Sequence, residues 1–272
     1  MDNRQIGIFD SGVGGLTVMA AIAKQLPEER LVYLGDTARL PYGTKSAETV
    51  SRYAVQATRA LMRFDVKLIV VACNTASAVA LPVLTAALSP LPVIGVVEPG
   101  ARAAVAASRN GHIAVIGTEG TVRGGAYGRA VHALKPDARI EQKACPLFVG
   151  LAEEGWTDGD VPERVAERYL RDLFGGGGAK PDTLVLGCTH FPVLAKPIAR
   201  AVGAGVTLVD SAETTAAEVA RLLEAQGLLR RGPPEPPTFL ATDAVERFAS
   251  VGSLFLGRTI DAVQVELVDL AP

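Results

Sequence analysis

Short apolar runs alternate with longer amphipathic stretches along this chain. Residues 6–9, 31–34, 68–71, 93–97, 113–116, 184–186 and 206–209 read as strands. Helical spacing fills the intervals, most clearly over 47–62, 161–173 and 214–224. In the first of these Val50, Tyr53, Ala57, Ala60 and Leu61 recur on one face. Near-continuous apolar strands separated by helices predict an α/β fold whose mostly parallel sheets are covered by helices on both faces. Gly175-Gly176-Gly177-Gly178 reads as a flexible loop before a strand. Pro233-Pro234-Glu235-Pro236-Pro237 reads as a stiff connector, because proline removes helix hydrogen bonds and fixes φ. A final unit follows it, from about Thr238 to Val268.

A weak internal repeat underlies the pattern. Ile6-Gly7-Ile8-Phe9-Asp10-Ser11-Gly12 resembles Ile113-Ala114-Val115-Ile116-Gly117-Thr118-Glu119. Farther on in each unit, a strand ends on a small residue, a cysteine and polar groups: Ala72-Cys73-Asn74-Thr75 and Gly187-Cys188-Thr189-His190. In open α/β sheets the carboxyl ends of the strands are where ligands bind, so the repeat predicts two thiols at equivalent ligand-binding positions.

With 272 residues, two lobes are expected, and a 49% hydrophobic content is ample for a large core. A net charge of −2 gives no global basic field to attract nucleic acid or anionic lipid. No apolar stretch reaches the roughly 18 residues of a membrane helix. The first residues lack the layout of a secretory signal. Three cysteines do not suggest a disulfide framework. A cytoplasmic protein without nucleic-acid or membrane partners is the expectation.

The two thiols carry the candidate chemistry. A lone cysteine after a strand is commonly a small buried hydrophobe. Here Cys73 precedes a helix-like stretch from Ala76, and a helix N-terminus lowers a thiol's pKa. Cys188 is followed by His190, one of three histidines, and thiol with imidazole is a recurrent pairing for proton transfer. Asp10 precedes Gly12-Val13-Gly14-Gly15. This is not the G-x-G-x-x-G of a dinucleotide loop, and a carboxylate there would repel a pyrophosphate. It reads as an acid acting on a thiol or an ammonium, with glycines that let a small ligand approach the backbone; the alternative is a plain helix cap.

Other segments carry weaker signals. Pro41-Tyr42-Gly43 is a tight turn, Glu98-Pro99-Gly100 a possible crossover, and Cys145-Pro146 a buried thiol and a bend. Thr118 and Thr121 open a helix that could hold a carboxylate. Glu153-Glu154 reads as a solvated face from which one carboxylate could reach a cleft, while His112 and His132 read as structural.

Cys73-Asn74-Thr75 and Cys188-Thr189-His190, with Asp10-Ser11-Gly12 and Pro41-Tyr42-Gly43, resemble bacterial glutamate racemases of the aspartate/glutamate racemase family. The likeness continues in order through Glu98-Pro99-Gly100, Cys145-Pro146-Leu147-Phe148-Val149 and Glu153-Glu154-Gly155 to Phe255-Leu256-Gly257. Gly150 and Phe191 stand where proline and tyrosine are common in that family. The resemblance implies two pseudo-symmetric α/β lobes, 1–97 plus 211–272 and 98–210, with the active site between them. It implies cofactor-independent interconversion of L- and D-glutamate by a homodimer, supplying D-glutamate for peptidoglycan. Cys73 and Cys188 would be the catalytic acid/bases, assisted by Asp10 and His190. Asp10, Ser11, Tyr42, Gly43, Asn74, Thr75, Thr189 and His190 would bind the substrate. The chain starts without an N-terminal extension seen in some members, and activation by a cell-wall nucleotide precursor is not carried over.

Three other readings of the same residues remain open at this stage. Cys73, Cys188, His190 and Asp10 could form a zinc site, although no compact metal-binding spacing is present. Lys45 could serve a pyridoxal-phosphate racemase. Two lobes without catalysis would make an amino-acid-binding or regulatory protein.

Overall fold

The computed structural model describes residues 2–270. In chain order β1 (Gln5–Asp10), α1 (Leu16–Gln25), β2 (Leu31–Gly35), α2 (Ala47–Leu61), β3 (Val66–Val71), α3 (Asn74–Leu88) and β4 (Val93–Gly95) form one half. Helix α4 (Val97–Ala107) leads into β5 (His112–Gly117), α5 (Glu119–Gly124), α6 (Ala126–Leu134), β6 (Arg139–Ala144), α7 (Leu147–Glu153) and α8 (Asp160–Phe174). The second half closes with β7 (Thr183–Gly187), α9 (Ala195–Val202) and β8 (Thr207–Asp210). Helix α10 (Ser211–Ala225) returns, packing along α1 and α4, and β9 (Thr238–Ala241), α11 (Val245–Leu256) and β10 (Val265–Leu267) complete the chain.

All strand pairs are parallel. One sheet has six strands in the order β10-β9-β2-β1-β3-β4, and the other has four in the order β6-β5-β7-β8. The run β2-β1-β3-β4 repeats as β6-β5-β7-β8, so the repeat seen in sequence is a repeat of topology. Every residue of β1 after Gln5, and of β2, β3, β5 and β7, is buried, which explains their near-continuous apolar character, with Lys67 of β3 buried as an ion pair with Glu29. One apolar cluster joins Ile6 and Ile8 of β1 to Ala114 and Ile116 of β5, so the two sheets share a core.

The differences from the sequence pattern are local. The expected strand 93–97 stops at Gly95, and Val97 already opens α4. Pro99 sits in the first turn of that helix, where a missing N–H breaks no bond. Helix α3 begins at Asn74, ahead of Ala76, because the Cys73 sulfur caps it by accepting from the Ala76 N–H. Edge strand β6 was illegible: Arg139, Glu141 and Lys143 interrupt its apolar residues and it is only partly buried. Strands β9 and β10 are too short to show a period.

Candidate active site

The carboxyl ends of β1, β3 and β7 converge on one cavity of about 240 Å³. Strand β3 delivers Cys73 and β7 delivers Cys188, each strand lying beside the first strand of its sheet. Both thiols line this cavity, so the matched positions in sequence face a single space. Ser11, Tyr42, Gly43, Asn74, Thr75, Thr189 and His190 line it as well. Asp10 is the one predicted site residue that does not. It lies a layer below, 1% exposed, with Oδ2 accepting the Gly12 N–H at 3.0 Å and Oδ1 without a partner.

The two thiols have different surroundings. Cys73 accepts from the Ala76 N–H at 3.4 Å and donates to the Ser11 hydroxyl at 3.5 Å. The helix terminus acts as expected, but it does not win. Burial and then the nearby Asp10 carboxylate push the Cys73 thiol up to about 12. The Asp10 charge thus opposes the thiolate that the helix N-terminus favours. Asp10 is itself raised, chiefly by burial.

Cys188 instead faces an imidazole. Its sulfur lies 3.9 Å from His190 Nδ1, and His190 Nε2 lies 3.2 Å from Glu153 Oε1. Arg247 of α11 donates to the other Glu153 oxygen at 3.0 Å. Burial opposes a charge on His190. Hydrogen bonds to Cys188 and Glu153, with the neighbouring Cys188 and Asp10, outweigh it and raise His190 to about 10. Glu153 is held below the usual carboxylate range, first by the His190 hydrogen bond. The sequence placed Glu153 among solvated residues that could reach a cleft; only its position at the end of α7 shows which of the two glutamates does.

Charging His190 therefore stabilises the fold. A group whose folded pKa exceeds its ordinary value of about 6.5 contributes fully below that value, and the contribution is lost as pH rises through about 10. Glu153→Gln removes one of the raising contributions. The melting-temperature gap between wild type and this variant is expected to be widest near pH 6–7 and to close toward pH 10, read by thermal melts across that range. A gap that does not change with pH would overturn the assignment.

Hydroxyls and one loop supply further parts of the wall, with Pro146, Val149 and Gly150 at α7. Thr75 and Thr118 lie 2.8 Å apart, and Thr118 and Thr121 lie 3.0 Å apart, joining the start of α3 to the start of α5. Thr118 lines the cavity. Tyr42 donates to Asp36 at 2.5 Å, and Asp36 accepts from Thr242 at 3.0 Å, tethering the 36–44 loop to the end of β9. The Asp10-to-Gly15 loop differs from its expected use. Gly12 lines the cavity, but Gly14 makes room for protein: a Cβ there would fall 2.5 Å from Thr189 Oγ1 and closer still to His190 Nδ1.

His112 pairs with Glu141 at 2.8 Å and His132 with the Ala138 carbonyl at 3.0 Å, both away from the cavity. Lys45 does not line the cavity either. Among the described residues no group of three or more His, Cys, Asp or Glu is arranged to hold a metal ion, and no helix is long and apolar enough to cross a membrane.

Known proteins share this fold. The family model described as Asp/Glu/Hydantoin racemase matches residues 6–219. A curated glutamate racemase of Geobacter metallireducens is 52% identical, covering 97% of each chain. The crystal structure of a glutamate racemase from Bacillus anthracis superposes with a TM-score of 0.93 at 39% identity, covering 99% of each chain. That of a Francisella tularensis glutamate racemase in complex with D-glutamate superposes at 0.90, with 35% identity and 99% coverage of both.

Proposed function

This chain belongs to the Asp/Glu/Hydantoin racemase family, an amino-acid racemase among the isomerases, and on that premise we propose that it interconverts L- and D-glutamate by proton transfer at Cα between two thiols. The observation that carries this reading is Cys73 and Cys188 lining one cavity from equivalent strand ends. Racemisation takes a proton from one face of a carbon and returns one to the other, so two groups must flank it. Their unlike surroundings suit the unlike tasks. Cys73 holds its proton and serves as the acid, while Cys188, beside an imidazolium, serves as the base; the roles exchange in the reverse direction.

His190 assists Cys188, and Glu153 holds the imidazole ring in place. Asp10, whose charge disfavours the Cys73 thiolate, helps Cys73 keep its proton and balances the incoming α-ammonium. Ser11, Tyr42, Gly43, Asn74, Thr75, Thr189 and His190 hold the substrate, with Thr118 added to the set. A free thiol is only a few per cent ionised at neutral pH, and each tenfold gain in thiolate corresponds to only about 1.4 kcal/mol. Most of the barrier must therefore fall through donors and dipoles aimed at the substrate carboxylate in a closed, dry cleft.

We extend the reading to lobes comprising 1–97 plus 211–272 and 98–210, a homodimer in the cytoplasm, and supply of D-glutamate for peptidoglycan. The deciding experiment follows the circular dichroism of D- and L-glutamate, and separately of aspartate, with protein freed of metal and cofactor. Both glutamate enantiomers are expected to converge on zero rotation. Optical activity that persists for glutamate, or decays only for aspartate, overturns the proposal.

A further inference from the structure

We propose that Tyr127 is a positioning residue that fixes the Asn74 side-chain amide with its N–H donors toward the carboxylate of the substrate. The inference rests on the reading of Asn74 as a substrate-holding residue. Asn74 follows Cys73 directly, lines the cavity and is 2% exposed. Its Oδ1 accepts from the Tyr127 hydroxyl at 2.7 Å, while its Nδ2 is buried with no partner. A buried donor left unmade is costly, and a bound anion would satisfy this one.

The phenol decides which way the amide faces. Asn74 is the hydrogen-bond partner the Tyr127 hydroxyl has, so its single proton is donated there. Turned over, the amide would leave that proton unpaired and aim Oδ1 at a negative carboxylate. Burial also pushes the Tyr127 pKa up, so the phenol keeps its proton.

The ring is seated to do this. Tyr127, on α6, is fully buried between two glycines. A Cβ at Gly100 of α4 would lie 3.2 Å from one ring edge, and a Cβ at Gly187 would lie 3.1 Å from the other. Gly187 immediately precedes Cys188, and Asn74 immediately follows Cys73. Tyr127 therefore touches the chain beside each thiol. This also accounts for the glycine of Glu98-Pro99-Gly100, to which the proposed chemistry assigns no part.

The test measures kcat and KM for glutamate in Tyr127→Phe, Asn74→Ala and the double variant. Tyr127→Phe keeps the ring and its packing. It is expected to raise KM about tenfold while changing kcat by less than about threefold. In the Asn74→Ala background it is expected to add less than about twofold, because the group it orients is gone. Gly100→Ala, whose methyl would press on the ring edge outside the cavity, should raise KM in the same Asn74-dependent way. An unchanged KM in Tyr127→Phe, or the same fold-loss with and without Asn74, overturns the inference. If Asn74→Ala itself leaves KM unchanged, the substrate-holding role of Asn74 falls with it. A silent Tyr127→Phe beside a damaging Asn74→Ala removes the inference alone.

Discussion

Replacing either Cys73 or Cys188 by serine is expected to reduce racemisation by at least about a thousandfold, within the range that positioned acid/base groups supply. A hydroxyl ionises far less readily than a thiol, and both positions are closely packed, with Cys73 and Cys188 each 5% exposed. The informative result lies in what each variant keeps. With Cys73→Ser, the Cys188, His190 and Glu153 chain is intact. That variant can still remove the α-proton of one enantiomer and return a solvent-derived proton to the same face, with retention. Cys188→Ser should do the same for the opposite enantiomer only. Loss of the α-proton signal in deuterated solvent, followed by nuclear magnetic resonance with each enantiomer separately, reads this pattern. Exchange of both enantiomers by one variant, or substantial racemisation by either, would rule out a division of labour between two thiols.

The fold was legible where burial on both faces forced a near-continuous apolar run. Strands β1, β2, β3, β5 and β7 show it because every position after Gln5 must be buried. Edge strand β6, with Arg139, Glu141 and Lys143, had no such constraint and was hidden. The site was legible as composition: cysteines, a histidine and hydroxyl residues clustered after strands. Its electrostatics were not. A helix N-terminus beside Cys73 was readable, but the burial and the Asp10 charge that override it arise only when distant segments meet. The same holds for Glu153, 37 positions from His190 in sequence, and for Tyr127, 53 positions from Asn74. Gly14 was misread for a related reason. The sequence showed that space was needed there, but not what would fill it.

Gly14→Ala is accordingly expected to damage catalysis strongly, although Gly14 carries no side chain and takes part in no chemistry. The added methyl would lie 2.5 Å from Thr189 Oγ1 and closer to the His190 ring. Neither neighbour can withdraw freely. The His190 ring stacks edge-on against Phe255, with centroids 5.0 Å apart, and is anchored at Nε2 by Glu153. The Thr17 hydroxyl shares its one proton between the Thr189 carbonyl at 3.2 Å and the Gly14 carbonyl at 2.9 Å. Relief must therefore come from a shift of the imidazole relative to Cys188, or of the whole Gly14 turn. A displacement of about 1 Å at a proton-transfer site costs about a hundredfold in rate, so kcat should fall by that order while far-ultraviolet circular dichroism stays native. The effect should depend on the ring it displaces. In a His190→Ala background, the same alanine at position 14 should cost less than about threefold more. An undiminished hundredfold penalty in that background would place the strain elsewhere in the turn and detach Gly14 from the proton-transfer chain.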